Sequence, residues 1–127
     1  MNNQADLLIR KLRKIIDFDR VKFIILFGSQ TTGRTNPMSD YDVAIYYEGN
    51  DKERFDLRVN LEAKLSDKFD VHIFQDLPLY VKKEVLKGKV LYAKDLTFLY
   101  DMAYDIIRKF EQFKKYYYDY IGLEELK

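Results

Sequence analysis

Between residues 4 and 16 the apolar positions Leu8, Leu12 and Ile15 recur at threes and fours, with Ile9 and Ile16 beside them and lysines and arginines on the other side. That spacing predicts an amphipathic first helix. The stretch "VKFIILF" changes the rhythm: it is β-branched and aromatic, carries no charge after Lys22, and ends at Gly28, as a buried strand does. A similar run, "DYDVAIYY", stops at the turn cluster Glu48-Gly49-Asn50-Asp51. From about 51 to 67, Leu57, Leu61 and Leu65 lie four apart, which predicts a helix separating two strands. "FDVHIF" alternates Phe69, Val71 and Ile73 with Asp70, His72 and Phe74, a strand with one largely apolar face. Asp76 as a cap, Pro78 in a first turn and Gly88 at the end predict a short helix, and "KVLYA" a last short strand. From Leu96 the positions Leu99, Met102, Ala103, Ile106, Phe110, Phe113, Tyr117 and Tyr120 describe one helix of about seven turns, over about 95–121.

This order predicts an α/β (α+β) fold in which helices flank a small mixed β-sheet. A length of 127 residues gives one compact domain, 1–127, and no room for two. The last helix, about 40 Å long, is longer than a domain of this size can cover, so part of its surface is expected to meet another chain. The cluster Tyr116, Tyr117, Tyr118 and Tyr120 reads either as part of such a contact or as amphipathic packing, rings in and hydroxyls out.

Charge and composition narrow the chemistry. Lysine plus arginine number 22 against 21 acidic residues, so no global basic field holds a polyanion, and direct binding of nucleic acid is not expected. Cysteine is absent, which removes disulfides, zinc–thiolate sites and a thiol nucleophile. No apolar run approaches the roughly 20 residues that span a bilayer, and "MNNQADLLIRKLRK" has no uninterrupted apolar core. The expected setting is cytoplasmic, with no membrane partner.

Candidate chemistry concentrates in "FIILFGSQTTGRTNPMSDYDVAIYY", residues 23–47. Gly28-x-x-x-x-Gly33-Arg34-Thr35 is one residue from a P-loop, but a P-loop runs directly into a helix and carries lysine before the hydroxyl residue. Here Arg34 replaces the lysine, and Asn36-Pro37 leaves no useful helix before the next strand. The glycines alone would fit a plain strand–turn–strand connection. Asp40-Tyr41-Asp42 adds more: residues two apart on a strand share a face, so both carboxylates project together while Tyr41 turns away. Two like charges held that close are unfavourable unless a cation sits between them, and oxygen-only ligands suit magnesium. Asp70 supplies a third acid if its strand pairs beside the first two. His72 shares the face of Asp70, as an auxiliary acid, a substrate contact or a locally hydrogen-bonded side chain.

Gly28-Ser29, then Asp40-x-Asp42, then Asp70 on a later strand resembles the polymerase-β-type nucleotidyltransferase superfamily. Within it the short chain is similar to minimal nucleotidyltransferases (MNT), among them the MntA-like antitoxins encoded beside HEPN toxins. The resemblance runs from the first helix through "LFGS", "SDYDVAIY", "FDVHIF" and "VLKGKVLYAKD" to the aromatic last helix. It implies that Gly28 and Ser29 contact the nucleotide phosphates and that Asp40, Asp42 and Asp70 are catalytic and hold two Mg2+ ions. It also implies that Asp70 helps activate an acceptor hydroxyl. One departure is that Thr31-Thr32-Gly33 follows the Gly-Ser pair, with an arginine only at 34, whereas many relatives place an arginine before the next glycine.

The resemblance implies a Mg-dependent protein adenylyltransferase acting as an antitoxin, which moves AMP from ATP to a tyrosine hydroxyl of a HEPN-type RNase toxin. Two alternatives stand beside it. One is a small-molecule nucleotidyltransferase like those that inactivate aminoglycosides, although the single helix after Asp95 leaves little room for their acceptor domain. The other is a non-catalytic antitoxin that neutralises its partner by docking.

Overall fold

The computed structural model describes residues 3–28, 41–65 and 68–125. Its elements follow the expected order: α1 (Asn3–Ile15), β1 (Val21–Phe27), β2 (Tyr41–Tyr47), α2 (Asp51–Lys64), β3 (Phe69–Ile73), α3 (Leu79–Val85), β4 (Lys89–Ala93) and α4 (Leu96–Glu125). The four strands form one mixed sheet in the order β3-β2-β1-β4. β1 runs antiparallel to both β2 and β4, while β2 and β3, joined through α2, are parallel. An antiparallel β1–β2 pair suits a strand–turn–strand connection, in contrast to the parallel crossover built around a P-loop helix.

Each sheet face carries its own core. Leu8 and Leu12 of α1 and Leu57, Leu61 and Leu65 in and just after α2 pack on Val21, Ile24, Val43, Ile45, Val71 and Ile73. On the other face Val85 of α3 and Leu99 and Ile106 of α4 close over Phe23, Ile25, Ala44 and Phe74. Two covered faces explain why β1 reads as a continuous apolar run rather than an alternation. An irregularity between Val21 and Phe23 lets Val21 pair with Tyr47 and Phe23 with Tyr46, so Val21 and Ile24 reach the same core although three residues apart.

Asn50 caps α2, its side chain accepting from Glu53 N–H at 2.8 Å while the Glu53 carboxylate accepts from Asn50 N–H at 2.8 Å. The Asn50 N–H bond, followed by Arg20, holds the Glu53 carboxyl below its ordinary range. Three details differ from the sequence reading. β3 ends at Ile73, and Phe74–Asp76 form a single 3-10 turn, which lets Phe74 enter the core. Asp76 does not cap α3, whose first flanking residue is Pro78 with no side-chain cap; its carboxylate instead accepts from Arg54 at 2.9 Å. α4 has 30 residues, about 45 Å at 1.5 Å per residue.

Gln75 continues the parallel ladder with its side chain once β3 has ended. It accepts from Tyr47 N–H at 3.1 Å, and its amide donates to Tyr47 C=O. Gln75→Ala leaves both half-buried main-chain groups without that partner, and should lower stability by about 1–2 kcal/mol. A denaturant titration with unchanged slope and an earlier midpoint would report this loss. Among the described residues no helix is long and apolar enough to cross a membrane.

Candidate active site

The connectivity brings the acids together. Asp42 is the second residue of β2 and Asp70 the second of β3, and since these strands are parallel and in register the two residues are directly paired. Across the other edge of β2, Asp42 faces Phe27 at the end of β1. The site therefore lies where β1 leaves the sheet and β2 and β3 enter it. Tyr41, one residue earlier, points to the opposite face and meets the Phe69 ring at 5.7 Å, as alternation requires.

His72 stands two residues beyond Asp70, beside Ala44 in the ladder. Its Nε2 lies 3.3 Å from Asp70 Oδ2 and 3.6 Å from Asp42 Oδ1, and its ring is 5.6 Å from that of Phe27. One donor atom from each of Asp42, Asp70 and His72 can be chosen so that all lie within 4.8 Å of one another. Burial pushes the Asp42 carboxyl above its ordinary range; His72 pulls it down and Asp70 pushes it up further. A half-buried carboxylate beside a second one lacks positive charge, and a cation between them would supply it. The donor set, two carboxylates flanked by an imidazole, fits a divalent ion.

Gly28 adds a contact that spacing alone does not reveal. Its φ is +89°, and a Cβ built there would sit 2.3 Å from Asp42 Oδ2. The glycine is thus needed both for the left-handed turn and for the space that the acid occupies. Periodicity placed Gly28 at the end of a strand and Asp42 at the start of another, but only their antiparallel register puts one against the other. Ser29 and Asp40, the other two residues expected at the site, lie outside the described residues.

Comparison with known proteins places the chain in a family. The family described as polymerase beta, nucleotidyltransferase matches residues 10–97, which include Gly28, Asp42, Asp70 and His72. A Methanocaldococcus jannaschii protein named "Putative protein adenylyltransferase MJ1547" is 34% identical over 74 residues; the match covers 58% of this chain but only 57% of that protein's length. Among solved structures, a chain of a toxin–antitoxin with AMP-PNP superposes with a TM-score of 0.72 at 21% identity, covering 97% of this chain and 98% of the other. A chain of the tri-AMPylated Shewanella oneidensis HEPN toxin in complex with MNT antitoxin gives 0.67 at 19%, covering 97% and 96%. At these identities the structural likeness is one of fold. With the family match spanning well over half of its length, and with the strand-borne acids converging at one end of the sheet, the chain belongs to the polymerase beta nucleotidyltransferase family.

Proposed function

We propose that this chain is an antitoxin adenylyltransferase, which transfers AMP from ATP to a tyrosine hydroxyl of a HEPN-type RNase toxin and thereby silences it. The observation that carries the chemistry is the in-register pairing of Asp42 with Asp70 beside the Gly28 turn. The choice of acceptor is supported by the toxin–antitoxin folds that the chain resembles and by its adenylyltransferase relative.

Asp42 and Asp70, with Asp40 by resemblance, would hold two magnesium ions. Ions so bound supply positive charge to the phosphates of the nucleotide and to a departing pyrophosphate. The protein's own part is positioning. Gly28 leaves room for Asp42 to stand at the mouth of the turn, and Ser29 offers a hydroxyl to the triphosphate. Asp70, the more exposed of the two described acids at 53% against 30%, would receive the proton of an incoming hydroxyl. The tyrosine oxygen bonds to the α-phosphorus, the bond from that phosphorus to the bridging oxygen of the β-phosphate breaks, and pyrophosphate leaves.

The toxin is proposed to dock on the far half of α4. Leu99 and Ile106 are buried, and Phe110 is covered by α3, with Tyr80 at 6.2 Å and Lys83 Nζ 4.6 Å from its ring. The same seam continues through Phe113 and Tyr117, which stack on each other at 6.2 Å but are 56% and 51% exposed. Phe113→Ala with Tyr117→Ala should weaken toxin binding by about thirtyfold, the size of an aromatic anchor worth about 2 kcal/mol. It should leave ATP binding and the melting temperature nearly unchanged; calorimetry of each ligand, with a melt, checks both.

The reaction is tested with ATP labelled at the α-phosphate, magnesium and a HEPN-type RNase encoded beside this chain. Label should appear on a toxin tyrosine, with loss of RNase activity. Inhibition of the RNase without label would leave the non-catalytic antitoxin, and label on an aminoglycoside but never on the toxin would leave the small-molecule enzyme.

A further inference from the structure

We infer that His72 is a nitrogen ligand of the cation at this site and gives it a preference for manganese(II) over magnesium. The inference rests on the reading of Asp42 and Asp70 as cation-binding carboxylates.

The separations are long for charge-assisted hydrogen bonds and suit shared coordination. An N–H···O bond to a carboxylate is best at about 2.7–2.9 Å, and a separation of 3.6 Å is no hydrogen bond. His72 Nε2 lies 3.3 Å from one carboxylate and 3.6 Å from the other, between them rather than committed to either. Donor atoms about 2.1 Å from one ion stand roughly 3.0 Å apart at right angles and about 3.4 Å apart at tetrahedral angles. The two spacings from His72 are close to those edges, and all three donors fall within 4.8 Å of one another.

The position of the ring is set by the fold. β3 carries Asp70 and His72 on one face, two residues apart. The neighbour across the ladder from His72 is Ala44, whose methyl group leaves room for an imidazole, and Phe27 flanks the ring from β1. Asp42, Asp70 and His72 are all at least one-third accessible or nearly so, at 30%, 53% and 33%, so an ion can reach them.

Ligand chemistry then decides selectivity. Magnesium takes oxygen donors and holds its waters tightly, so an adjacent imidazole adds little to its binding. Manganese(II) also favours oxygen donors and stands lowest in the first-row order of affinity for mixed N/O sites, but it gives up a water for an imidazole nitrogen more readily than magnesium does. Two carboxylates and one imidazole therefore favour manganese more than carboxylates alone would.

The test uses the full chain without nucleotide or toxin. Manganese(II) and magnesium affinities are measured by calorimetry on wild type and His72→Gln, and electron spin-echo spectra of the manganese-loaded protein are examined for modulation by imidazole nitrogen. Wild type should show that modulation and His72→Gln should lack it. The ratio of manganese to magnesium affinity should fall about tenfold in the variant, with magnesium affinity itself changed less than about threefold. His72→Asn, a shorter amide, guards against a folding defect peculiar to one substitution. If both ions bind wild type but neither the ratio nor the modulation depends on residue 72, the histidine inference fails and the carboxylate site stands. If neither ion binds, the carboxylate site fails and takes this inference with it.

Discussion

Asp42→Asn should reduce AMP transfer by at least about a thousandfold while leaving the fold intact, a loss of about 4 kcal/mol in transition-state stabilisation. Asparagine nearly matches aspartate in volume and keeps one carbonyl oxygen, so packing against Gly28 is preserved. What disappears is the charge that, on the proposed function, would draw a divalent ion between β2 and β3. The same substitution should act oppositely on stability without ions. Burial, and then Asp70, raise the Asp42 carboxyl above its ordinary range against the pull of His72, so the folded protein holds that proton more tightly than the unfolded chain does. Stability associated with protonated Asp42 is thus present below the unfolded value near 3.8 and lost as pH rises through the higher folded one. At neutral pH the ion-free variant should melt above wild type, and the difference should vanish in acid. Added magnesium and ATP should raise the wild-type melting temperature and leave the variant's unmoved. Full transfer activity in the variant would remove Asp42 from the site.

The opposite responses separate a charge that serves binding from one that serves folding, and they show what kind of information the sequence held. Period-2 alternation placed Asp70 and His72 on one face, but it made Asp70 a third acid only on the condition that its strand pairs beside the others. The parallel, in-register pairing that sets Asp42 against Asp70 is a property of the folded sheet, which spacing along the chain does not fix. The irregular features were not legible either. Lys22 is passed over in the pairing of β1 with β2, which is why Val21 and Ile24 share a core. No hydrophobic pattern distinguishes such an irregularity from a regular strand. Asp76 looked like a helix cap because it precedes Pro78, but Arg54 of α2, 22 residues away, competes for it and forms a charge-assisted pair at 2.9 Å. Local capping signals carry no knowledge of a cation that tertiary packing delivers. Gln75 likewise reads as an ordinary polar residue until β3 ends one strand position too early and Tyr47 needs a partner. That α4 exceeds what so small a domain can cover was legible, because a helix extends linearly whereas the domain does not; where the surplus begins was not, since Phe113 and Tyr117 keep the same apolar spacing as Ile106 and Phe110 yet are exposed.

Gly28→Val should lower transfer by about a hundredfold, through displacement of Asp42 rather than loss of a phosphate contact alone. Two separate constraints meet at this residue. At φ +89° a β-branched side chain clashes with its own backbone, and the turn would relax toward negative φ at a cost of about 1–2 kcal/mol. Before it relaxes, the new Cβ would lie 2.3 Å from Asp42 Oδ2, well inside contact distance, so either the turn or the carboxylate must move. A shift of about 1 Å in a catalytic group is enough for a hundredfold loss. If Gly28 acts through Asp42, the two substitutions share one route and cannot add: Gly28→Val with Asp42→Asn should transfer AMP no more slowly than Asp42→Asn alone. If Gly28 instead serves the nucleotide by its own main chain, the double variant should lose ATP affinity beyond the Asp42→Asn level. Calorimetry of ATP binding to the wild type, both single variants and the double variant, alongside label transfer, distinguishes these outcomes. A Gly28→Val protein with wild-type transfer would mean that the close approach of turn and acid plays no part in the reaction.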